Sequence, residues 1–274
     1  MKKIKQCVLT IAGSDSSGGA GIQGDIKTIS AIGCYAASVI TVLTAQNTLG
    51  VHAIHELPGH FVAQQLESVF NDLKIEAVKI GMLYSEKMIA VVALALQKFK
   101  PKFVILDPVM TSKNGCALID TKSIMLLEKQ IFPYATLITP NLVEAEILLR
   151  IKISTLADQE LAALKIGNQF KVNVLIKGGH FHGLQSSDVL YLYEERSCHW
   201  FHAKRINSLN SHGTGCSLSS AIASYLAQDY PLKDAIHCAK KYLTKAIEFG
   251  EKLQIGRGCG PVDHFYFLEN HYDF

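Results

Sequence analysis

The 274-residue sequence predicts an α/β fold around a mostly parallel β-sheet. Short apolar segments with strand character alternate with segments in which apolar residues recur at helical spacing. Several strand-like segments are apolar throughout, which is typical of parallel strands covered by helices on both faces. No linker, low-complexity segment or internal repeat interrupts this alternation, so we expect residues 1–274 to form one domain.

The predicted elements follow one another in a regular order. The strand-like segments are CVLTIAG, AASVITVLTAQ, EAVKIGML, FVILDPV, ATLITP and VNVLIKGG, and all but the last precede a helical segment. The first helical segment, GIQGDIKTISAIG, places Ile22, Ile26 and Ile29 on one stripe. DVLYLYEERSCHWFHA alternates like an antiparallel hairpin, and SLSSAIASYLA and DAIHCAKKYLTKAIEFG predict two closing helices.

Composition excludes several classes of protein. The net charge is only +3, and no run of Lys or Arg indicates a nucleic-acid surface. The seven cysteines include no CxxC pair, which argues against zinc ribbons and favours a reducing, cytoplasmic location. The first residues, MKKIKQCVLTIAGSD, imitate a signal peptide, but the short apolar run fits a first core strand better. No apolar stretch is long enough for a transmembrane helix.

Polar and glycine residues follow the predicted strands. These strand ends read AGSDSSGGAG, TAQNT, GML, DPVM, TPN and KGGH, and a further loop, NSHGTGC, precedes a helix. Ligands of open α/β sheets bind beyond the carboxyl ends of the strands. The sequence therefore predicts a ligand site along one edge of the sheet.

A glycine pattern near the N-terminus raises an oxidoreductase hypothesis. The residues GAGIQG at 19–24 match G-x-G-x-x-G, follow a strand and open a helix. The dinucleotide motif also requires an acidic residue at the end of the second strand, and TVLTAQNTLG has none. Two alternatives remain, which are a turn where the helix passes close to the sheet and the lining of a small-molecule pocket.

A second glycine-rich turn precedes a helix and suits an anion. Gly213, Thr214 and Gly215 form the predicted anion loop, because backbone N–H groups and the helix N-terminus both favour negative charge. The loop is not a Walker A motif. Cys216 follows directly, and we expect the helix N-terminus to lower its pKa, so that the thiolate could act as a general base. The alternative is an ordinary turn with a buried cysteine.

Phosphoryl transfer also requires cations and carboxylates near the phosphates. Lys177 ends a strand and could neutralise phosphate charge, although a solvated lysine is the alternative. Asp107 closes an otherwise apolar strand, where a carboxylate is costly unless it has a function. Asn141 and Glu144 lie one helical turn apart and suit a water-bridged Mg²⁺, although Asn141 is also a good helix cap.

These stretches together resemble the ribokinase superfamily, and most closely the hydroxymethylpyrimidine and phosphomethylpyrimidine kinases of thiamine biosynthesis. The resemblance runs nearly from end to end through AGSDSSGGAGIQGDIKT, TAQNT, KIGML, DPVM, TPNLVEAE, KGGH, SHGTGCSLSSAIA and GPVDHFYF. It implies a three-layer α/β/α kinase that uses ATP and Mg²⁺. The expected reactions phosphorylate 4-amino-5-hydroxymethyl-2-methylpyrimidine and then its monophosphate.

The resemblance also implies roles for individual residues. Cys216 stands where sugar kinases of the superfamily carry an aspartate base. Gln46 is expected to pair with the aminopyrimidine edge, because an amide offers both a donor and an acceptor. Gly13, Asp25 and Met82 match positions that line the acceptor pocket. A homodimer is expected as well.

Two other functions stay open at this point. A pyridoxine or pyridoxal kinase of the same superfamily would share the glycine-rich loop, and Gln46 favours an aminopyrimidine without deciding the matter. A non-catalytic vitamin-binding paralogue would have lost Cys216, Lys177 or Glu144, and all three are present.

Overall fold

The computed structural model describes residues 5–111, 118–179, 181 and 183–271. His180 of the KGGH motif and the first four residues lie outside this range. The strands are β1 (Cys7–Asp15), β2 (Tyr35–Asn47), β3 (Gly50–Glu56), β4 (Ile75–Ile80), β5 (Phe103–Leu106), β6 (Leu137–Ile138), β7 (Asn173–Ile176), β8 (Gln185–Leu192) and β9 (Ser197–Lys204). They form one sheet in the order β3-β2-β1-β4-β5-β6-β7-β8-β9.

The central part of the sheet is parallel, which confirms the predicted fold class. Parallel pairing joins β2 to β1, β1 to β4, and then β4, β5, β6 and β7 in turn. Both edges are antiparallel, through β3 on one side and β8 and β9 on the other. The predicted hairpin is therefore present as β8 and β9. That the chain is one domain over residues 1–274 stays a prediction.

Helices cover both faces of the sheet. They are α1 (Gly21–Ala31), α2 (Gly59–Asp72), α3 (Glu86–Phe99), α4 (Thr121–Gln130), α5 (Leu142–Leu149), α6 (Leu156–Phe170), α7 (Thr214–Ala227) and α8 (Leu232–Gly250). Short 3₁₀ helices span Phe132–Tyr134 and Tyr266–His271. Apolar residues of α2 to α6 pack in one cluster, and those of α1, α7 and α8 pack in another. The described residues therefore form three layers.

The first strand explains why the apolar runs lack alternation. Leu9 and Ile11 of β1 belong to the cluster beneath α2 to α6, whereas Val8 belongs to the cluster beneath α1, α7 and α8. All three side chains are fully buried. A strand buried on both faces needs apolar residues at every position.

Strand β3 was not predicted from the sequence. It pairs antiparallel with β2, and all of its residues except Gly50 are exposed. The strand signal in a sequence comes from a buried face, and β3 lacks one. It nevertheless contributes Val51 and Ile54 to the cavity described below.

Parallel pairing brings the carboxyl ends of the central strands to one edge of the sheet. Gly13 lies near the end of β1, Gln46 near the end of β2, and Asp107 directly after β5. Lys177 follows β7, and its backbone pairs with that of Asn141 in an isolated parallel β-bridge. No helix in the described part of the chain is long and apolar enough to cross a membrane.

Candidate active site

A cavity of about 350 Å³ lies at the carboxyl edge of the sheet. Of the residues singled out in the sequence, Gly13, Gln46, Met82 and Cys216 line it. Further lining residues that matter for its chemistry are Asp15, Thr44, Lys79 and His212. Three of the four predicted pocket residues, Gly13, Gln46 and Met82, therefore share one cavity with the predicted base, and Asp25 does not line it.

The N-terminal glycines allow close packing around this cavity. Gly21 has φ +54° and lies so close to β1 that an added Cβ would overlap the carbonyl oxygen of Gly13. Gly213 has φ +82°, and a Cβ there would overlap the carbonyl oxygen of Gly19. Side chains at both positions are excluded by conformation and by space. The turn that resembled a dinucleotide motif thus packs against the predicted anion loop and, through Gly21, lines the cavity.

The anion loop forms the start of α7. Gly213 occupies the N-cap position in the left-handed conformation, and the helix begins at Thr214. First-turn N–H groups of a helix lack intrahelical acceptors and attract negative charge. A Cβ at Gly215 would lie 3.4 Å from both Asp107 Oδ2 and Lys177 Nζ. The loop, the carboxylate and the cation therefore meet at one place.

The pKa of Cys216 contradicts the expectation from the sequence. Burial raises it to about 11, and this effect exceeds the lowering by Lys79 and by the N–H group of Gly21. Asp25 and Asp107 raise it further. The helix N-terminus is present as predicted, but desolvation and two carboxylates outweigh it. In the free protein Cys216 is a neutral thiol at pH 7.

Lys177 and Asp107 form an ion pair instead of standing alone. Lys177 Nζ lies 2.6 Å from Asp107 Oδ1, and both side chains are largely buried. Burial by itself lowers the pKa of Lys177, but Asp107 and then Glu144 raise it above its ordinary value. Lys177 therefore stays protonated beside the anion loop, which rules out the alternative of a solvated lysine.

Asn141 and Glu144 form the N-terminal cap of α5. Asn141 Oδ1 accepts a hydrogen bond from the N–H of Glu144 at 2.9 Å. Glu144 Oε2 accepts one from the N–H of Asn141 at 2.7 Å. This reciprocal capping box satisfies two N–H groups that the helix leaves unpaired. The capping alternative for Asn141 is thus present in the structure.

The carboxylates do not form a dense metal site. Within the described ranges, no group of three or more His, Cys, Asp or Glu side chains could hold a metal ion. Glu144 is buried, and desolvation raises its pKa to about 7, although Lys177 lowers it. The negative charge of Asp107 also raises the pKa of Glu144, because the two carboxylates lie near each other.

Asp25 is buried and is not one of the residues that line the cavity. Its carboxylate accepts hydrogen bonds from Lys79 at 2.7 and 2.9 Å, from Thr10 at 2.6 Å and from Ser220 at 2.7 Å. Asp25 and Lys79 are both fully buried, and Lys79 lines the cavity. Asp25 would therefore act on the cavity through Lys79 and not by direct contact.

Sequence reasoning missed four residues that line the cavity, Asp15, Thr44, Lys79 and His212. All four lie inside motifs that were singled out, AGSDSSGGAG, TAQNT, KIGML and SHGTGC. Their roles depend on partners distant in sequence. His212 Nε2 lies 2.8 Å from Asp15 Oδ2, for example, and these residues are 197 positions apart.

Comparison with known proteins shows the family of the chain. The family model described as phosphomethylpyrimidine kinase matches residues 15–263. The chain is 44% identical over 262 residues to the hydroxymethylpyrimidine/phosphomethylpyrimidine kinase of Rhizobium meliloti, covering 94% of this chain and 96% of that protein. It is 47% identical over 263 residues to the thiamine biosynthesis bifunctional protein ThiED of Geobacter sulfurreducens. That match covers 96% of this chain and 53% of ThiED, so the chain spans about half of the longer relative.

Solved structures give the same fold. Phosphomethylpyrimidine kinase from Clostridium difficile superposes with a TM-score of 0.78 at 43% identity, over 89% of this chain and 100% of that one. Pyridoxal kinase from Staphylococcus aureus, in complex with AMP-PCP and pyridoxal, superposes with a TM-score of 0.86 at 30% identity. That match covers 97% of this chain and 95% of the other. The ribokinase-like α/β fold expected from the sequence is confirmed.

Proposed function

The chain belongs to the phosphomethylpyrimidine kinase family, and we propose that it transfers phosphoryl groups from ATP to 4-amino-5-hydroxymethyl-2-methylpyrimidine and then to its monophosphate. Both steps belong to thiamine biosynthesis. The observation that carries the proposal is that Gln46 and Cys216 line one cavity beside the anion loop. An acceptor ring held at Gln46 would have its hydroxymethyl group within a pocket that also contains the predicted base.

The acceptor would be recognised by cavity residues from the N-terminal part of the chain. Gln46 offers a donor and an acceptor to the aminopyrimidine edge, and Met82 and Gly13 supply apolar surface. Asp25 contributes by holding the Lys79 ammonium group beside the cavity. The monophosphate would use the same ring contacts, with its phosphate oxygen in place of the alcohol as the attacking group.

Phosphoryl transfer falls to the N-terminus of α7. The backbone N–H groups of Gly213, Thr214 and Gly215 would bind the transferring group, and Lys177 would neutralise its charge. Cys216 would take the proton of the attacking alcohol. Because the thiol is neutral in the free protein, Cys216 would first have to release its own proton to solvent, and the neighbouring Lys79 ammonium group would stabilise the thiolate that then takes the proton of the alcohol.

The carboxylates beside the anion loop suit Mg²⁺ as the cofactor. Asp107 and Glu144 provide hard carboxylate oxygens, and Mg²⁺ in kinases is commonly held by one or two carboxylates, nucleotide phosphates and water. Glu144 already accepts backbone hydrogen bonds through both oxygens, so it would act through a bound water, as would Asn141. When bound, Mg²⁺ would neutralise charge on the nucleotide phosphates.

We expect Glu144→Gln to raise the Mg²⁺ concentration required for half-maximal activity by about tenfold. The amide keeps the size of the side chain but removes the charge that attracts the cation. A Mg²⁺ titration of kcat measures the shift, and Glu146→Gln, on the same helix, is the control because Glu146 pairs with Lys152. An unchanged titration in Glu144→Gln would remove Glu144 from the metal's surroundings.

The proposed function is tested by comparing acceptors. In an assay of ADP formation, we expect kcat/KM to be about tenfold or more higher with the aminopyrimidine alcohol than with pyridoxal. The reason is that Gln46 would pair with the amino group of the pyrimidine and with the ring nitrogen next to it. Pyridoxal has neither the amino group nor a ring nitrogen at that position. The comparisons support pyridoxal kinase no better than the pyrimidine kinase. A clear preference for pyridoxal would contradict the proposal.

Assembly and location complete the proposal. We place the enzyme in the cytoplasm as a homodimer, which is supported by family membership and, for the location, by a sequence without CxxC pairs. Sedimentation of the purified protein at micromolar concentration would distinguish a dimer from a monomer.

A further inference from the structure

Two neighbours of Gln46 contact the two ends of its side-chain amide. One end lies 3.1 Å from Thr44 Oγ1, and the other lies 3.3 Å from His212 Nε2. Each neighbour has a second partner of its own. Thr44 Oγ1 lies 2.9 Å from the carbonyl oxygen of Ser14, and His212 Nε2 lies 2.8 Å from Asp15 Oδ2. The amide of Gln46 is therefore part of a network that continues into β1.

The protons available in this network can be counted. The hydroxyl of Thr44 has one proton, and the carbonyl oxygen of Ser14 can only accept it. Burial by itself raises the pKa of Asp15, but hydrogen bonds, the strongest from His212, hold it well below its ordinary value. Asp15 is thus a carboxylate that accepts hydrogen bonds and donates none. His212 Nε2, at 2.8 Å from this carboxylate, must carry a proton.

These protons favour one orientation of the amide. If Oε1 of Gln46 faced Thr44, the single hydroxyl proton would be required at two acceptors, and the N–H groups of Gln46 and His212 would face each other. If the amide is turned by 180°, Nε2 donates to Thr44 Oγ1 and Oε1 accepts from His212 Nε2. In this orientation the His212 proton is shared between Asp15 Oδ2 and Gln46 Oε1, but the Thr44 proton goes to Ser14 alone and no two N–H groups face each other. Hydrogen bonding therefore favours this orientation.

The backbone of Gln46 is held as well. Ser16 Oγ accepts a hydrogen bond from the N–H of Gln46 at 2.9 Å and donates one to its carbonyl oxygen at 2.8 Å. The β2–β3 pairing changes register between Ala45 and Gln46. The side chain therefore enters the cavity from a fixed backbone, with one N–H and one oxygen lone pair left for a ligand.

We propose that Thr44 and His212 are positioning residues that fix the Gln46 amide, so that the enzyme accepts a 4-aminopyrimidine and rejects the 4-oxo analogue. The inference rests on the proposed function and adds to it a basis for selectivity. The amino compound presents a donor beside a ring-nitrogen acceptor, whereas the 4-oxo compound presents an acceptor beside a ring N–H. A freely turning amide would pair with both, and a fixed amide pairs with one.

The test compares kcat/KM for 4-amino-5-hydroxymethyl-2-methylpyrimidine with that for its 4-oxo analogue. We expect the wild type to prefer the amino compound by about 10²-fold or more, because mismatched polar groups in a built site are strongly rejected. The double variant Thr44→Val/His212→Leu releases the amide and should reduce the preference to within about tenfold. Thr44→Val alone, which is nearly isosteric, should reduce it part of the way and serves if the double variant does not fold.

Two control variants separate positioning from a structural effect. Thr44→Ser restores the hydroxyl and should keep the wild-type preference. Thr244→Val makes the same change in α8, where the hydroxyl donates to the carbonyl oxygen of Lys240 at 2.7 Å, and should also keep it. A general loss of structure would lower kcat/KM for both acceptors and leave their ratio unchanged.

The outcomes distinguish this inference from the proposed function. A wild type that is active on the amino compound but equally active on the 4-oxo compound contradicts the inference alone. So does a folded Thr44→Val or double variant that keeps the wild-type preference. A wild type with no activity on the amino compound contradicts the proposed function and the inference together.

Discussion

Replacement of Cys216 by serine or alanine lowers kcat by about 10²–10⁴-fold, the usual loss when a general base is removed. A serine hydroxyl has a pKa far above that of the thiol, and alanine has no proton acceptor. The backbone N–H groups of the anion loop survive both changes. The affinity for ATP, measured separately by calorimetry, should therefore change little.

The pH dependence of the wild type provides a second readout for Cys216. Its pKa of about 11 means that the thiolate fraction of the free enzyme grows as pH rises through the neutral range. We expect kcat/KM to rise by about tenfold per pH unit between pH 7 and 9. Cys216→Asp, which carries a carboxylate as the sugar kinases do, should have a much flatter profile over this range.

Cys198→Ser is the matched control for the thiol. Cys198 lies on β9, outside the cavity, and burial also raises its pKa. The control variant should keep the wild-type kcat and pH profile. If Cys216→Ala also turned over at the wild-type rate, Cys216 would be a structural cysteine and another group would have to accept the proton.

Replacement of Lys79 by methionine lowers the free energy of unfolding by about 3–5 kcal/mol, because a buried carboxylate then loses its counter-ion. Lys79 and Asp25 are both fully buried and contact each other directly. Among the residues that the structure describes, the hydroxyls of Thr10 and Ser220 would remain as hydrogen-bond donors to Asp25. Urea denaturation monitored by circular dichroism measures the change.

A double variant and a surface pair complete this test. Lys79→Met/Asp25→Leu removes both charges and should regain much of the stability lost by Lys79→Met. Lys98→Met breaks an exposed pair with Glu67 and should cost no more than about 1 kcal/mol. If Lys79→Met lowered the free energy of unfolding no more than Lys98→Met does, the buried pair would contribute no more to stability than an exposed one.

The sequence predicted the layers of the fold because burial leaves a periodic signal. Strands such as β1 are apolar on both faces, and helices such as α1 carry an apolar stripe, so both could be recognised without coordinates. Strand β3 could not, because its side chains are exposed and its position depends on pairing with β2.

The candidate site was predictable where residue type and local motif suffice. The anion loop and Cys216 could be identified because a glycine turn before a helix indicates an anion-binding site. The pKa of Cys216 could not, since it depends on burial and on Lys79, Asp25 and Asp107. The role of Lys79 depends on its contact with Asp25, 54 positions away, and the sequence gives no signal for such a contact.

The central claim is tested most directly by identifying the product. The wild-type enzyme would be incubated with Mg²⁺, ATP and 4-amino-5-hydroxymethyl-2-methylpyrimidine, and the pyrimidine species followed over time by mass spectrometry. We predict a monophosphate that forms first and is then converted to the diphosphate, with Cys216→Ala forming neither at a comparable rate. Persistence of the unmodified pyrimidine, under conditions in which the same enzyme phosphorylates pyridoxal, would contradict the account.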